Sequence, residues 1–227
     1  MRRVITYSQA ALLLAVLLSA GCGTMNAVRA LPKGESALAF SCGGPVTRIM
    51  LVDAPLPYAV LSYRYGLTDW LGISASNHAT LLALGRIGLQ GDLTCRFFRQ
   101  QGWRPECGAG VGLLFLSGLN SDSRVYPEVA AAVSWLVKDQ FLTYLGVQSL
   151  FQLARDRDPT TPLCVWAPVL GEEIRLNRQF SVTLETKWYA PFEKTTPRAV
   201  EYLLPIAGHG AVGFVLGVRY AFGRHRS

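Results

Sequence analysis

Three histidines, five cysteines and 15 carboxylates are the groups with chemistry to offer. His78, His209 and His225 stand far apart, and no Cys-x-x-Cys occurs. None of these residues has the spacing of a metal site, so no metal and no cofactor are expected. Ser76 and His78 fall on the same face of an extended chain, where Glu128 or Glu185 could complete a hydrolytic set. That arrangement is generic. No nucleophile elbow and no glycine-rich phosphate loop accompanies it, so the expected catalytic set is empty.

The elements that would carry these residues read as strands. Past residue 22, no run of 18 or more apolar residues appears. The nearest, residues 203–218, contains Pro205, His209 and four glycines, a poor helix and a poor spanning segment. The prevailing pattern has period two with regularly spaced turn residues. It predicts ten strands, at 35–42, 57–65, 70–81, 86–98, 105–116, 125–137, 140–152, 164–176, 179–190 and 209–222. In 179–190, Phe180, Val182, Leu184, Thr186 and Trp188 alternate with Gln179, Ser181, Thr183, Glu185 and Lys187. Glu172-Glu173 interrupts the alternation of 164–176 and suggests a bulge there. Tight turns after the second, fourth, sixth and eighth strands contrast with longer links at 43–56, 117–124, 153–163 and 190–208, with only 83–85 short among the others. Folding 86–98 onto 105–116 about Gln101 sets Cys95 opposite Cys107 and Arg96 opposite Glu106.

Composition indicates which face meets which medium. Half of the 227 residues are apolar and 16% are charged, against about 25% charged in soluble domains. The less apolar face carries Gly108, Gly110 and Gly112, Ala130, Ala132 and Ser134, and Ser62, Ser74 and Ser76. Small residues suit a crowded interior, whereas a wetted exterior calls for Lys and Glu, and the chain has four Lys. The small-residue face would then also hold Arg64, His78, Asp92, Arg96, Glu106, Glu128, Glu185, Lys187 and Arg219, joined by Glu172 or Glu173. Charges confined there must pair or be hydrated, as a structural ion-pair network or as a polar path for a small solute. Aromatics gather toward both strand ends, including Trp70, Phe97, Trp103, Phe180, Tyr220 and Phe222 at one and Phe40, Tyr58, Phe115, Tyr126 and Trp166 at the other. The scattered positive charge forms no basic stripe, so nucleic acid is not an expected partner. The fold class expected is all-β, an antiparallel up-and-down transmembrane β-barrel of about ten strands (8–12).

The chain opens with Arg2 and Arg3, an apolar run over residues 10–18, and Leu18-Ser-Ala-Gly-Cys22. This resembles a bacterial lipoprotein signal with its lipobox, and Gly23 after the cysteine resembles an outer-membrane destination. The resemblance implies a signal peptide over 1–21 and lipidation of Cys22; a periplasmic linker over 22–34, one barrel over 35–223 from the strand pattern and a basic tail over 224–227 complete the expected organisation. Losing residues 1–21 lowers the formal charge from +7 to +5. The end of the last strand, Gly217-Val-Arg-Tyr220-Ala-Phe222, resembles the barrel-assembly signal of bacterial outer-membrane proteins. It departs from that signal at Val215 and in the five residues that follow Phe222. Outer-membrane lipids, barrel-assembly and lipoprotein-sorting machinery, and an envelope protein are the partners implied. Both termini would be periplasmic. In that oxidising compartment Cys95 with Cys107, and Cys42 with Cys164, are the disulfides to expect, against free thiols. The expected role is non-enzymatic: structural or partner-binding, or a narrow pore for small polar solutes. Two alternatives stand beside it, a soluble lipocalin-like barrel lipoprotein holding an apolar ligand, and an outer-membrane lipid-modifying enzyme.

Overall fold

The computed structural model describes residues 23–25, 28–49, 52–118, 121–153, 162–194 and 203–223. The signal segment, Cys22, His225 and the basic tail lie outside the described residues. Strands β1 (Glu35–Ile49), β2 (Val52–Pro55), β3 (Tyr58–Gly66), β4 (Leu71–Asn77), β5 (Arg86–Phe98) and β6 (Glu106–Gly118) fill the first half. Strands β7 (Ser121–Val137), β8 (Phe141–Phe151), β9 (Cys164–Arg175), β10 (Phe180–Lys194) and β11 (His209–Gly223) fill the second. All pair antiparallel with their chain neighbours, except that β3 pairs with β1 because β2 is a short flap on the far half of β1. The pairing of β11 with β1, from Glu35 opposite Gly223 to Pro45 opposite Gly213, closes the sheet. The result is an all-β, up-and-down barrel of ten staves, with no free edge along the closing seam.

Closure places the ends of β1 and β11 beside the tight turns. The β7–β8 turn spans Lys138 to Gln140, between the paired Val137 and Phe141, and Lys138 and Asp139 have φ of 52° and 54°, a left-handed pair of the kind that suits the twist of a tight hairpin.

Four expectations change. The third strand stops at Asn77, and Ala79–Ala83 forms one helical turn, α1, whose Leu81 packs on Tyr58 and Val60. The Ala-Thr-Leu-Leu-Ala run lacks alternation and is rich in good helix formers. The long link after the first strand is largely a hairpin, closed by Arg48 and Asp53 at 3.0 Å. No bulge occurs at Glu172-Glu173, where pairing runs unbroken on both sides. Last, the β5–β6 hairpin reverses about Gly102-Trp103, with Gly102 at φ 57°, and a register shift falls between Arg96 and Phe98. Cys95 therefore faces Ala109, and Cys107 faces Phe98. Cys42 pairs across to Ala59 and Leu216, while Cys164 pairs with Phe151. All four thiols are free, so neither disulfide is present.

The barrel is inverted relative to a soluble domain. Leu89, Leu93, Val111, Leu113, Leu145, Leu184 and Leu216 are exposed on the outside, while Glu128, Glu185 and Lys187 are buried within. An interior built around an apolar ligand is thereby overturned. Around the tight-turn end, Tyr63, Phe222, Tyr220 and Phe180 form a chain of ring contacts with centroids 4.8–6.5 Å apart. At the opposite end Phe40, Phe115 and Trp166 are exposed, but Tyr58 and Tyr126 point inward.

Candidate functional site

The lumen is occupied by the chain itself. The described residues 23–25 and 28–32, read from the sequence as part of a linker over 22–34, run inside the barrel. Lys187 donates from Nζ to the Gly23 carbonyl, and the Met25 amide donates to Glu185 Oε1 at 2.7 Å. Met25 and Val28 pack with Leu142, Tyr144 and Val169. Glycines on the inner wall make the room. A Cβ at Gly146 would lie 2.7 Å from the Met25 sulfur, and one at Gly217 would lie 2.8 Å from Thr24 Cγ2.

Beside this segment a polar chain crosses the lumen from β3 to β8. Tyr58 Oη is 2.8 Å from His78 Nδ1, and His78 Nε2 is 3.2 Å from Gln90 Oε1. Gln90 Nε2 donates to Asp92 Oδ1 at 2.8 Å and to Glu128 Oε2 at 3.1 Å. Gln148 donates to the other Glu128 oxygen at 3.0 Å and accepts from Lys187. Lys187 Nζ then pairs with Glu185 Oε2 at 3.2 Å, and Glu185 accepts from the Tyr144 hydroxyl. The Gln90 amide is committed to two carboxylates, so its oxygen is left to accept. That assigns the imidazole proton to Nε2 and the donor role toward Nδ1 to Tyr58. His78 lies outside the strands, and burial holds its pKa below the ordinary histidine value.

A second cluster sits nearer the tight turns. Arg29 Nε donates to Ser134 Oγ at 2.9 Å, and Arg29 Nη2 donates to Gln100 Oε1 at 2.8 Å. Glu106 lies 3.7 Å from Arg29 and 3.9 Å from Arg96. Glu173 accepts from Arg219 at 2.6 Å and lies 3.7 Å from Arg175. Arg64 donates to the Arg29 carbonyl at 2.9 Å. The five arginines and the two carboxylates border a chamber of about 890 Å³ that opens among the tight turns. On the other side of residues 23–24 the remaining void is about 20 Å³, room for about one water.

All nine interior residues anticipated from the sequence thus lie inside the barrel, divided between two clusters. Glu173 joins them. Glu172 faces outward and accepts from Thr143 Oγ1 at 2.5 Å. Ser76 and His78 share a wall without acting together, since Ser76 Oγ is 2.9 Å from Ser62 Oγ and both ring nitrogens of His78 have other partners. Among the described residues, no group of three or more His, Cys, Asp or Glu is placed to hold a metal ion. Sequence reasoning places Gln90 on the polar face of 86–98 but not in the interior network, and it missed Gln148, Tyr144 and Arg175, all of which alternation places inside. It also missed Arg29, which no periodicity marks.

No protein-family model matches the chain, and no curated protein matches it. Similar solved structures include an outer-membrane channel of the COG4313 group from Pseudomonas putida F1, at 12% identity and a TM-score of 0.49. That match covers 87% of this chain and 99% of the other. The NanC porin matches at 9% identity and a TM-score of 0.45, over 82% of this chain and 98% of its own. OprG, an outer-membrane protein of Pseudomonas aeruginosa, matches at 12% identity and a TM-score of 0.34, over 87% and 100%.

Proposed function

We propose that this protein is a non-enzymatic, lipid-anchored β-barrel of the bacterial outer membrane, with a structural or partner-binding role. The supporting observation is the inversion of polarity: leucines and valines cover the outside of a closed sheet whose inside holds buried ions. In water such an exterior would drive association. In hydrocarbon it is the stable arrangement, because closure satisfies the backbone. The two aromatic rims fit the interfacial girdles of such barrels. Against catalysis stands the commitment of both His78 nitrogens to Tyr58 and Gln90. With tight turns and both strand termini at one end, that end is assigned to the periplasm, where a lipid on Cys22 would reach the inner leaflet.

The anchor has a structural consequence. Gly23 sits in the polar lumen against Lys187, where two acyl chains on the preceding residue have no apolar surroundings. Acylation of Cys22 and seating of residues 23–32 are therefore alternative states. Withdrawal through the tight-turn mouth requires nine or so extended residues, about 30 Å of reach. This favours a second reading, in which the barrel is a narrow pore for small polar solutes once that segment leaves.

The deciding experiment is expression without residues 1–22, followed by detergent partitioning and gel mobility with and without heating. A membrane barrel partitions into detergent and migrates faster unheated. Release into the aqueous phase as a folded monomer would overturn the proposal. Intact-mass measurement of the natively exported chain tests the anchor, through the added mass of a diacylglyceryl group and loss of residues 1–21.

A further inference from the structure

We propose that the chamber at the tight-turn end is a binding site for small multivalent oxyanions, carrying carboxylate or phosphate groups. Its deep wall carries five guanidinium groups, Arg29, Arg64, Arg96, Arg175 and Arg219, against two carboxylates, Glu106 and Glu173, with Asp92 also acting on Arg64 from beyond the chamber. Each carboxylate is shared between two arginines, at 3.7 and 3.9 Å for Glu106 and 2.6 and 3.7 Å for Glu173. Rim charges only partly offset the excess, because Arg178 stands among Glu35 and Asp139. The chamber as a whole keeps a positive surplus inside a wall that lowers the dielectric.

Surplus charge in such a space is costly unless a counter-ion enters. Two features say what kind. Arg175 Nε is buried with no hydrogen-bond partner, though it lies 3.7 Å from Glu173. It is an unused donor in a group whose planar fork matches the oxygens of a carboxylate or phosphate. The volume, about 890 Å³, exceeds that needed by chloride and falls in the range of small-molecule sites. An organic cation would meet the arginines, and an apolar solute would leave the surplus charge uncompensated.

The site requires the closed barrel but not its membrane placement, so its test is separable from that of the proposed function. The protein lacking residues 1–22 is folded in a non-ionic detergent and titrated calorimetrically with citrate and, separately, with pyrophosphate. Saturable binding of at least one, weakened as sodium chloride rises, is expected. The arm that responds identifies the recognised group. Arg96→Met should weaken binding at least tenfold, whereas Glu106→Gln should tighten it. Both remove a partner from the same ion pair, so structural damage alone would weaken both. If neither anion binds at millimolar concentration to protein shown folded by its unheated gel mobility, the proposal fails. It fails equally if Arg96→Met and Glu106→Gln shift affinity in the same direction.

Discussion

Lys187 and Glu185 show what a buried ion pair demands in this lumen. Both side chains are fully buried, 3.2 Å apart, and each has further polar partners. Lys187→Met would leave Glu185 without its cation, a change that costs about 3–5 kcal/mol when a buried pair is broken. Adding Glu185→Gln should recover much of that loss. Urea unfolding in micelles, read by the unheated gel band, would show the single variant less stable than the double; the reverse order would mean the pair is not the principal support. His78 titrates in a useful range. Its folded pKa is depressed by burial, whereas the unfolded value is about 6.5. Its contribution is therefore fully present above about pH 6.5 and is lost as pH falls through the lower folded value. The unfolding midpoint should drop between neutral pH and the folded pKa, and His78→Asn should flatten that segment of the profile. An unchanged slope in the variant would assign the acid sensitivity elsewhere.

Among the elements, β9 and the segment 23–32 mark what periodicity could and could not convey. Alternation gives each strand its phase, so Arg64, Asp92, Glu128 and Glu185 were assigned inward from sequence alone. In β9 the interior positions are Val165, Ala167, Val169 and Gly171 before Glu173, while Glu172 faces outward. An apolar inner half beside an outward carboxylate erases the contrast on which phase depends, so a regular strand reads as bulged. Register is less legible than phase. Pairing depends on where the β5–β6 turn reverses, and moving that point from Gln101 to Gly102-Trp103 separated Cys95 from Cys107. The segment 23–32 carries no period because its contacts are tertiary: it fits where Gly146 and Gly217 leave space, and neither glycine signals this from its own neighbourhood.

At the scale of the whole molecule, what closes the lumen is a chain end and not a stave of the wall. The wall is continuous through β11 and β1, so removing residues 23–32 leaves the barrel's hydrogen-bonded circuit intact. Two charge-assisted hydrogen bonds hold the tip, Met25 to Glu185 and Lys187 to Gly23. At about 1.5–3 kcal/mol each, their loss shifts an open–closed balance at least tenfold. In planar bilayers the chain lacking residues 1–22 should therefore be mostly silent with rare openings, and one lacking residues 1–32 should conduct far more often. A lock separates the plug from general loosening. A Cβ at Gly23 would lie 3.5 Å from Ser41 Oγ, within reach of a bond between Gly23→Cys and Ser41→Cys in a background with the native thiols replaced by serine. Oxidation should abolish the rare openings and reduction should restore them. A deletion variant that inserts, resists unheated gel unfolding and still carries no current would leave the ion network, and not the segment, as the barrier, and the barrel would stand as a closed structural element of the envelope.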